Sequence, residues 1–386
     1  TIDWDGLAAA VSGPFKSLVE SDDLASVAIG LLQAFHHDGT VTLAYAGANL
    51  DSEAISTPAE KPGPLTGRAG IATLLAGASE GRIRFLSSGT TGPRRQVTHE
   101  LKALRRGVRY RPHLQTAVWG NAYHPAHMAG VQVLMQALAT GRPCIHLHGL
   151  DGRSVCRRLH DFGVTHLSAT PSFYRFLLSE LDGMTFPELR QLTFGGEAFD
   201  SQLAKRLRSA FPSVRIRNLY ARTAAGSLFI SEGDVFGVSA AFKGQVKVVG
   251  GELWIARDLL GYWGETPSWY ATGDQVVVES EDPLRFRFLG RSRTAINVGG
   301  YTVYPETVEA ALCRHSAIAE ARVFGQPQPL VGNLLMAEIV PEPDATVPVE
   351  AALRQFLSRT CQPPEIPRIL CVVESLDKTP SGKIAR

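Results

Sequence analysis

The sequence predicts an α/β protein in two parts: a large N-terminal domain of mixed, mainly parallel sheets with covering helices over residues 1–290, and a small α+β C-terminal domain over residues 291–386. Three observations predict it. Short β-rich runs alternate with helical stretches from residue 82 to about residue 217, the pattern of parallel strands joined by crossover helices. From about Asn218 strand-like runs dominate. The closing segment carries two helical and three strand patterns, the content of a small α+β domain. With 386 residues, 44% of them apolar and 20% charged, the chain has the length for two or three compact units and the composition to bury a core.

Taken in order, the first 80 residues combine a helical pattern over 24–35 with a Gly-, Pro- and Ser-rich stretch over 51–67, and hold no readable chemistry. A strand at 83–86 empties into a loop, and a helix is expected over 97–104. An apolar helix at 131–138 leads through Gly141 to a strand at 144–147, with further strands at 164–168 and 189–194. Runs with β character follow at 245–249, 252–256, 275–279 and 285–289. A turn-rich join is expected at Gly290-Arg-Ser292. Beyond it lie helices at 305–314 and 349–359 and strands at 321–324, 334–340 and 369–373.

Thirty-nine basic against 37 acidic residues give a net charge of +2, so no whole-protein field draws the chain to nucleic acid or anionic lipid. Five cysteines without a C-x-x-C pair argue against a disulfide frame and a zinc site, and fit a reducing cytoplasm. No run approaches 18 apolar residues and Thr1-Ile-Asp-Trp-Asp5 has no basic leader, so neither a membrane span nor an export signal is expected. Composition leaves the oligomeric state open.

The strongest local signal is Phe85-Leu-Ser-Ser-Gly-Thr-Thr-Gly-Pro-Arg-Arg-Gln-Val97, a strand opening into glycines and hydroxylated residues. Glycines let the backbone approach an anion, N–H groups turn inward, and the hydroxyls of Ser87, Ser88, Thr90 and Thr91 add donors around phosphate oxygens. The Walker pattern G-x-x-x-x-G-K-[ST] is absent. Taken alone, such a loop is more often a plain connection. It does not stand alone.

Together with Tyr270-Ala-Thr-Gly-Asp274, Gly290-Arg291, Gly299-Gly300-Tyr-Thr-Val-Tyr-Pro-Glu306 and Pro380-Ser-Gly-Lys383, the loop resembles the adenylate-forming superfamily of acyl- and aryl-CoA synthetases, nonribosomal peptide synthetase adenylation domains and luciferases. The motifs keep the family's order from Arg82 to Arg386. The phosphate loop stands early in this chain, as in short members such as o-succinylbenzoyl-CoA synthetases and carrier-protein ligases, which implies a shortened first subdomain and a mobile small domain. The resemblance assigns Ser87, Ser88, Gly89, Thr90, Thr91 and Gly92 to the β- and γ-phosphates of ATP, with Arg95 in place of the usual lysine. Gly195, Gly196 and Glu197, with Asn218, Leu219 and Tyr220, match the segments around adenine; a Gly-Gly pair by itself is only a turn. Asp274 matches the carboxylate on the ribose hydroxyls, and Arg291 holds the same ribose, where an isolated reading would make them a turn aspartate and a solvated cation.

Lys383 matches the adenylation lysine, whose ammonium offsets charge building between substrate carboxylate and α-phosphate; a tail lysine is otherwise idle. His127, in His124-Pro-Ala-His127-Met-Ala-Gly130, matches an H-x-x-G segment beside the acyl pocket, although a histidine in such a run is commonly structural. Thr170, Phe194, Ala221 and Gly226 are expected to shape the same pocket. Thr223 is retained as a phosphate contact, but the glutamate that follows it in the family is Ala224 here, which places Mg²⁺ binding by the protein in question; Glu232 and Asp234 stand nearby in sequence. Arg293 occupies the hinge position, and Asn297, Gly299 and Gly300 are expected to line a pantetheine tunnel.

A basic cluster (Lys102, Arg105, Arg106, Arg109, Arg111) fits either an acidic carrier protein, coenzyme A phosphates or a solvated helix face. The implied activity is ATP-dependent ligation: a carboxylic acid becomes an acyl- or aryl-AMP and then passes to the thiol of coenzyme A or a phosphopantetheinyl carrier protein. The competing readings are an adenylating enzyme with another acceptor and a nucleotide- or acyl-adenylate-binding pseudoenzyme.

Overall fold

A computed structural model of the chain describes residues 2–44, 64–86, 96–264, 267–328, 332–343, 345–378 and 384–385. It divides into two compact units, one made of Thr1–Gly196, Ser213–Phe229 and Arg257–Ser268, the other of Glu197–Pro212, Ile230–Ala256 and Trp269–Arg386.

The first unit opens with α1 (Trp4–Val11), β1 (Leu18–Glu20), α2 (Leu24–His36), β2 (Thr40–Ala44), α3 (Gly67–Ala76), β3 (Arg82–Leu86) and β4 (Gln96–Glu100). Strands β1, β2 and β3 run parallel, and β4 returns antiparallel to β3. On β2 and β3 every second residue enters the core: Val41 pairs with Ile83 and Leu43 with Phe85, and all four are buried. Helix α2 begins where the Asp23 carboxylate accepts the Ser26 N–H at 2.8 Å, and its apolar sides bury Val27, Leu31, Leu32 and Phe35. The amino-terminal 80 residues thus supply core.

Residues 97–104 depart from the expected helix. Gln96–Glu100 is strand, paired Phe85 to Val97 and Leu86 to Gln96, and only Leu101–Arg105 forms a helix, α4. Val97, Leu101 and Leu104 satisfy a helical spacing, which is why the segment reads as helix. Burial of Val97, His99 and Leu101 follows the period of two instead, and β-branched Val97 and Thr98 suit a pleated strand.

The second sheet is the six-stranded β10-β9-β8-β7-β5-β6. Its elements are β5 (Trp119–Asn121), α5 (Met128–Thr140), β6 (Cys144–His146), α6 (Gly152–Asp161), β7 (His166–Ala169), α7 (Pro171–Ser179), β8 (Gln191–Gly195), α8 (Ser201–Ala210), β9 (Arg215–Arg222) and β10 (Gly226–Ser231); α8 belongs to the second unit. From β5 to β9 the neighbours are parallel. The chain leaves β5 for β6 on one side, then crosses back to β7 on the other. Crossovers of the usual right hand that leave β5 and β6 in opposite directions put their helices on opposite faces, and in open α/β sheets such a reversal of strand order marks a crevice at the carboxyl ends, here those of β5 and β7.

In the second unit, β11 (Val235–Gly237), β12 (Val246–Val249), β13 (Glu252–Ala256), β14 (Trp269–Glu281) and β15 (Leu284–Arg291) form an antiparallel sheet in the order β11-β15-β14-β13-β12. Strand β15 continues through Gly290 and Arg291, which pair with Gln275 and Asp274; the turn expected at Gly290 starts at Ser292 because the ladder with β14 reaches that far. The hairpin β16 (Ile296–Val298) and β17 (Tyr301–Val303) follows, then α9 (Pro305–Leu312), β18 (Ile318–Gln328), β19 (Gly332–Pro341), α10 (Glu350–Leu357) and β20 (Ile369–Val372). Val303, Val308, Leu312, Val323, Ile339 and Leu353 form the core of this closing part.

Candidate functional site

Several segments singled out in the sequence lie at the carboxyl ends of the parallel strands. Phe194 is paired with Asn218 and Gly195 with Leu219, so the Gly-Gly segment and the Asn218–Tyr220 segment are next to each other on β8 and β9. Gly195 ends its strand and Gly196 follows with φ +87°, a backbone that glycine adopts without strain. The Tyr123 hydroxyl donates to the Ala169 carbonyl at 2.8 Å and lies 3.3 Å from the Gly195 carbonyl, tying β7 and β8 together at this end. Phe194 is fully buried against Tyr174, ring centroids 4.8 Å apart. Tyr220 stacks on Phe229 at 5.6 Å. Glu197 begins the next segment of the second unit.

Two more predicted residues flank the crevice between β5 and β7. Thr170 follows β7 and caps α7, its hydroxyl accepting the Phe173 N–H at 3.2 Å. His127 caps α5 by position, with its ring 4.8 Å from that of His124. His124 in turn meets the Asp22 carboxylate at 2.8 Å and the His148 ring at 5.0 Å. Burial pushes His146 and His148 below the usual imidazole range, so these rings stay uncharged at neutral pH. His124 was read only as part of the segment around His127, and His148 had no reading in the sequence.

The most informative geometry surrounds Thr223, in the turn between β9 and β10. Its carbonyl accepts from His99 Nε2 at 2.7 Å across 124 residues of sequence. The Ala224 carbonyl accepts the Gly261 N–H at 2.8 Å, and the Ala225 carbonyl accepts from Arg106 at 2.7 Å. Three consecutive carbonyls are therefore held by three separate segments, while the Thr223 hydroxyl has no partner among the described residues. Glycine at 261 is required by close approach: a Cβ there would stand 2.7 Å from the Thr98 carbonyl and 2.8 Å from the His99 ring.

His99 is 1% exposed, and burial pushes its pKa down to about 4 against the partial support of the Thr223 hydrogen bond. It is neutral at pH 7. Because a carbonyl only accepts, Nε2 carries the proton. His99 and Arg106 are the functional residues that sequence reasoning missed or left as bulk charge. The alternating burial of Val97, His99 and Leu101 was the available signal for His99.

Ala221, on β9, and Gly226, which opens β10, belong to the first unit; the second holds Asp274, Arg291, Arg293, Asn297, Gly299 and Gly300. Asp274 is buried on β14 opposite Arg291 on β15, with Arg291 Nε 3.4 Å from the carboxylate. Ladder irregularities lie just after Asp274 and between Glu252 and Trp254, where bulges re-aim side chains. The Asp274 N–H donates to the Thr272 hydroxyl, which itself donates to the Leu253 carbonyl at 2.7 Å. Arg293 lies exposed in the turn after β15. Gly299 and Gly300, at φ +58° and +89°, form the two-residue turn of the β16–β17 hairpin, closed by the Gly300 N–H to the Asn297 side chain at 3.0 Å.

Ser87, Ser88, Gly89, Thr90, Thr91, Gly92, Arg95 and Lys383 lie outside the described residues. The segment 87–95 starts and ends on the Leu86–Gln96 pair, three residues before His99. Among the described residues no three His, Cys, Asp or Glu side chains are grouped to hold a metal ion, and Ala224 offers none of its own. Glu232 and Asp234 belong to the other unit from Ala224. Among the described residues the donor set does not fit a magnesium ion held by the protein alone. No described helix is long and apolar enough to cross a membrane.

Comparison with known proteins bears on the whole chain. Residues 82–252 match the AMP-binding enzyme family and residues 307–383 match the AMP-binding enzyme C-terminal domain. The chain is 28% identical over 349 residues to 4-hydroxybutyrate–CoA ligase 1 of Metallosphaera sedula, covering 79% of this chain and 61% of the ligase. It therefore spans about three fifths of that relative's length. The ATP-bound MatB of Rhodopseudomonas palustris shares the fold at TM-score 0.73 and 18% identity, over 98% of this chain and 90% of MatB. The amide bond synthetase McbA of Marinactinospora thermotolerans does so at 0.70 and 17%, over 98% and 90%. With two matched segments in order, together well over half of its length, the chain belongs to the AMP-binding, adenylate-forming enzymes.

Proposed function

We propose that the protein is an ATP-dependent carboxylic acid ligase that forms an acyl- or aryl-AMP and transfers the acyl group to a thiol. The observation that carries this reading is the His99–Thr223 hydrogen bond. It joins the strand leaving the predicted phosphate loop to the turn bearing the predicted phosphate-contacting hydroxyl, two segments 124 residues apart. A family motif match by itself does not require that contact. A site in which both segments touch one polyphosphate needs them side by side, and this bond holds them so.

In the first half-reaction a carboxylate oxygen attacks the α-phosphorus of ATP. An O–P bond forms, the bond to the β-phosphate breaks, and pyrophosphate leaves. Residues Ser87 to Gly92 with Arg95 surround the β- and γ-phosphates, and the Thr223 hydroxyl donates to a phosphate oxygen from a turn whose backbone is already restrained, so little reorganisation is needed as charge shifts. Gly195, Gly196, Glu197, Asn218, Leu219 and Tyr220 receive adenine; Asp274 and Arg291 receive ribose. Lys383 bridges carboxylate and α-phosphate. A magnesium ion would arrive with the nucleotide and would supply charge neutralisation at the phosphates, with no carboxylate from position 224 to hold it.

In the second half-reaction the thiol sulfur attacks the acyl carbon, AMP leaves and the thiol proton is lost. We assign coenzyme A or a phosphopantetheinyl carrier protein as acceptor, with Asn297, Gly299 and Gly300 beside the pantetheine arm and residues 291–386 turning about Arg293 between the two poses. His127, Thr170, Phe194, Ala221 and Gly226 shape the acyl pocket.

Ala224 favours a second reading, a chain that binds nucleotide or acyl-adenylate without turning it over. Pyrophosphate release measured over a panel of aliphatic and aromatic acids, with and without coenzyme A, separates the two. Acid-dependent release supports the ligase. ATP binding with no release from any acid supports the alternative.

A further inference from the structure

A cavity of about 340 Å³ lies within the first unit, walled by Glu100, Lys102, Arg106, Arg257, Gly261 and Tyr262 among others. Its walls are the supports of the Thr223 turn or their neighbours in sequence. Arg106 holds the Ala225 and Leu259 carbonyls, Gly261 holds the Ala224 carbonyl, Tyr262 exchanges backbone hydrogen bonds with Thr98, and Glu100 follows His99.

The charges around it do not cancel. The Glu100 carboxylate is engaged by Lys102 at 2.8 Å, and the Lys102 and Tyr262 hydrogen bonds hold it below the usual carboxylate range. Arg106 is bonded to carbonyls alone, its Nε–H is buried without a partner, and burial disfavours its charge. Arg257 has no carboxylate partner among the described residues. Further along the same segment Arg105 and Arg109 bond only to carbonyls. Against these cations stands the exposed Asp258. The wall of the cavity itself carries three cations, Lys102, Arg106 and Arg257, against two carboxylates, Glu100 and Asp258; its two guanidinium groups, satisfied by neutral acceptors or by none, leave the surplus that favours an anion. Tyr262, 45% exposed on the rim, adds an aromatic face.

We propose that this cavity is a second anion site, taking a diphosphate group next to the Thr223 turn. Such a group has two sources under the ligase reading, on which the identity of the ligand rests: the pyrophosphate released by adenylation, or the phosphorylated nucleotide end of coenzyme A. The site answers what the Lys102–Arg111 basic cluster does. It gives Lys102 and Arg106, the members of that cluster that line the cavity, a phosphate to hold.

The test is calorimetric titration of the full chain with pyrophosphate and, separately, with 3′-phosphoadenosine 5′-diphosphate, the nucleotide site being filled by a saturating non-hydrolysable ATP analogue. Saturable binding is expected, weakened tenfold or more by Arg257→Glu and by Lys102→Glu, both at exposed side chains, with affinity for the ATP analogue unchanged. Tighter pyrophosphate identifies the product as ligand, and tighter 3′-phosphoadenosine 5′-diphosphate identifies the thiol substrate. No saturable binding of either probe, or equal affinity in both variants, overturns the assignment. Retained pyrophosphate binding in a chain that does not bind the ATP analogue would sink the ligase reading and leave the cavity site standing.

Discussion

Replacing His99 with phenylalanine separates the hydrogen bond to Thr223 from the packing around it. The ring stays, including its edge contact with Phe85 at 5.8 Å, while the donor to the Thr223 carbonyl is lost. A buried carbonyl left without its partner costs about 1–3 kcal/mol, so at pH 7 the variant is less stable by that amount. Acidification changes the comparison. The folded-state pKa of His99 lies at about 4, against 6.5 for a free imidazole. Between these values the unfolded chain binds a proton that the native protein does not. The stability contributed by keeping His99 neutral is therefore complete above pH 6.5 and is lost as the pH falls towards 4. At 1.36 kcal/mol per pH unit the loss is about 3 kcal/mol. His166, also pushed down to about 4 by burial, contributes the same slope to both proteins and cancels. Urea unfolding followed by tryptophan fluorescence at pH 7, 6, 5 and 4 should show the wild-type advantage shrinking and then vanishing or reversing. A constant gap across that range would refute the assignment of His99 as a neutral donor. Because the same bond restrains the Thr223 turn, acid-dependent pyrophosphate release should fall at least tenfold in the variant at pH 7, at a temperature where both proteins remain folded.

Other consequences are independent of this one. Lys383→Ala should abolish acid-dependent pyrophosphate release yet spare thiol transfer from a supplied acyl-AMP; equal loss of both half-reactions would remove Lys383 from its assigned role. Tyr174→Phe deletes a buried hydroxyl that meets the Leu167 carbonyl at 2.8 Å and the Thr193 carbonyl at 3.1 Å, and should lower the unfolding free energy by about 1–3 kcal/mol with the catalytic constants little changed. An unchanged denaturation midpoint would show those bonds to be worthless.

Much of the fold was legible because its signals are local. Helix α2 was visible in its apolar run, and β13 stands at the residues its alternation marked out, Glu252–Ala256. The stretch after the predicted phosphate loop was not, because Val97, Leu101 and Leu104 satisfy the helical period while the pairing with β3 that makes 96–100 a strand is a tertiary fact. The end of β15 was misread for a similar reason: Gly290-Arg-Ser has turn composition, but Arg291 is held in the ladder by its partner Asp274.

The site divides along the same line. Thr223, Asn218 and the Gly-Gly pair were readable as motif residues, and β8–β9 pairing sets the latter two next to each other. His99 and Arg106 gave no comparable signal. Their work is to hold the Thr223 and Ala225 carbonyls, and which carbonyl lies within reach of a side chain 119 to 124 residues away is decided only by the folded chain.

The most direct measurement is ATP–pyrophosphate exchange by the full chain, scanned over carboxylic acids, with Thr223→Val alongside. Acid-stimulated exchange with at least one acid, reduced a hundredfold or more when the hydroxyl is replaced by a methyl group of the same shape, is the predicted result. Exchange as fast in Thr223→Val as in the wild type would contradict the account, as would ATP binding without exchange from any acid.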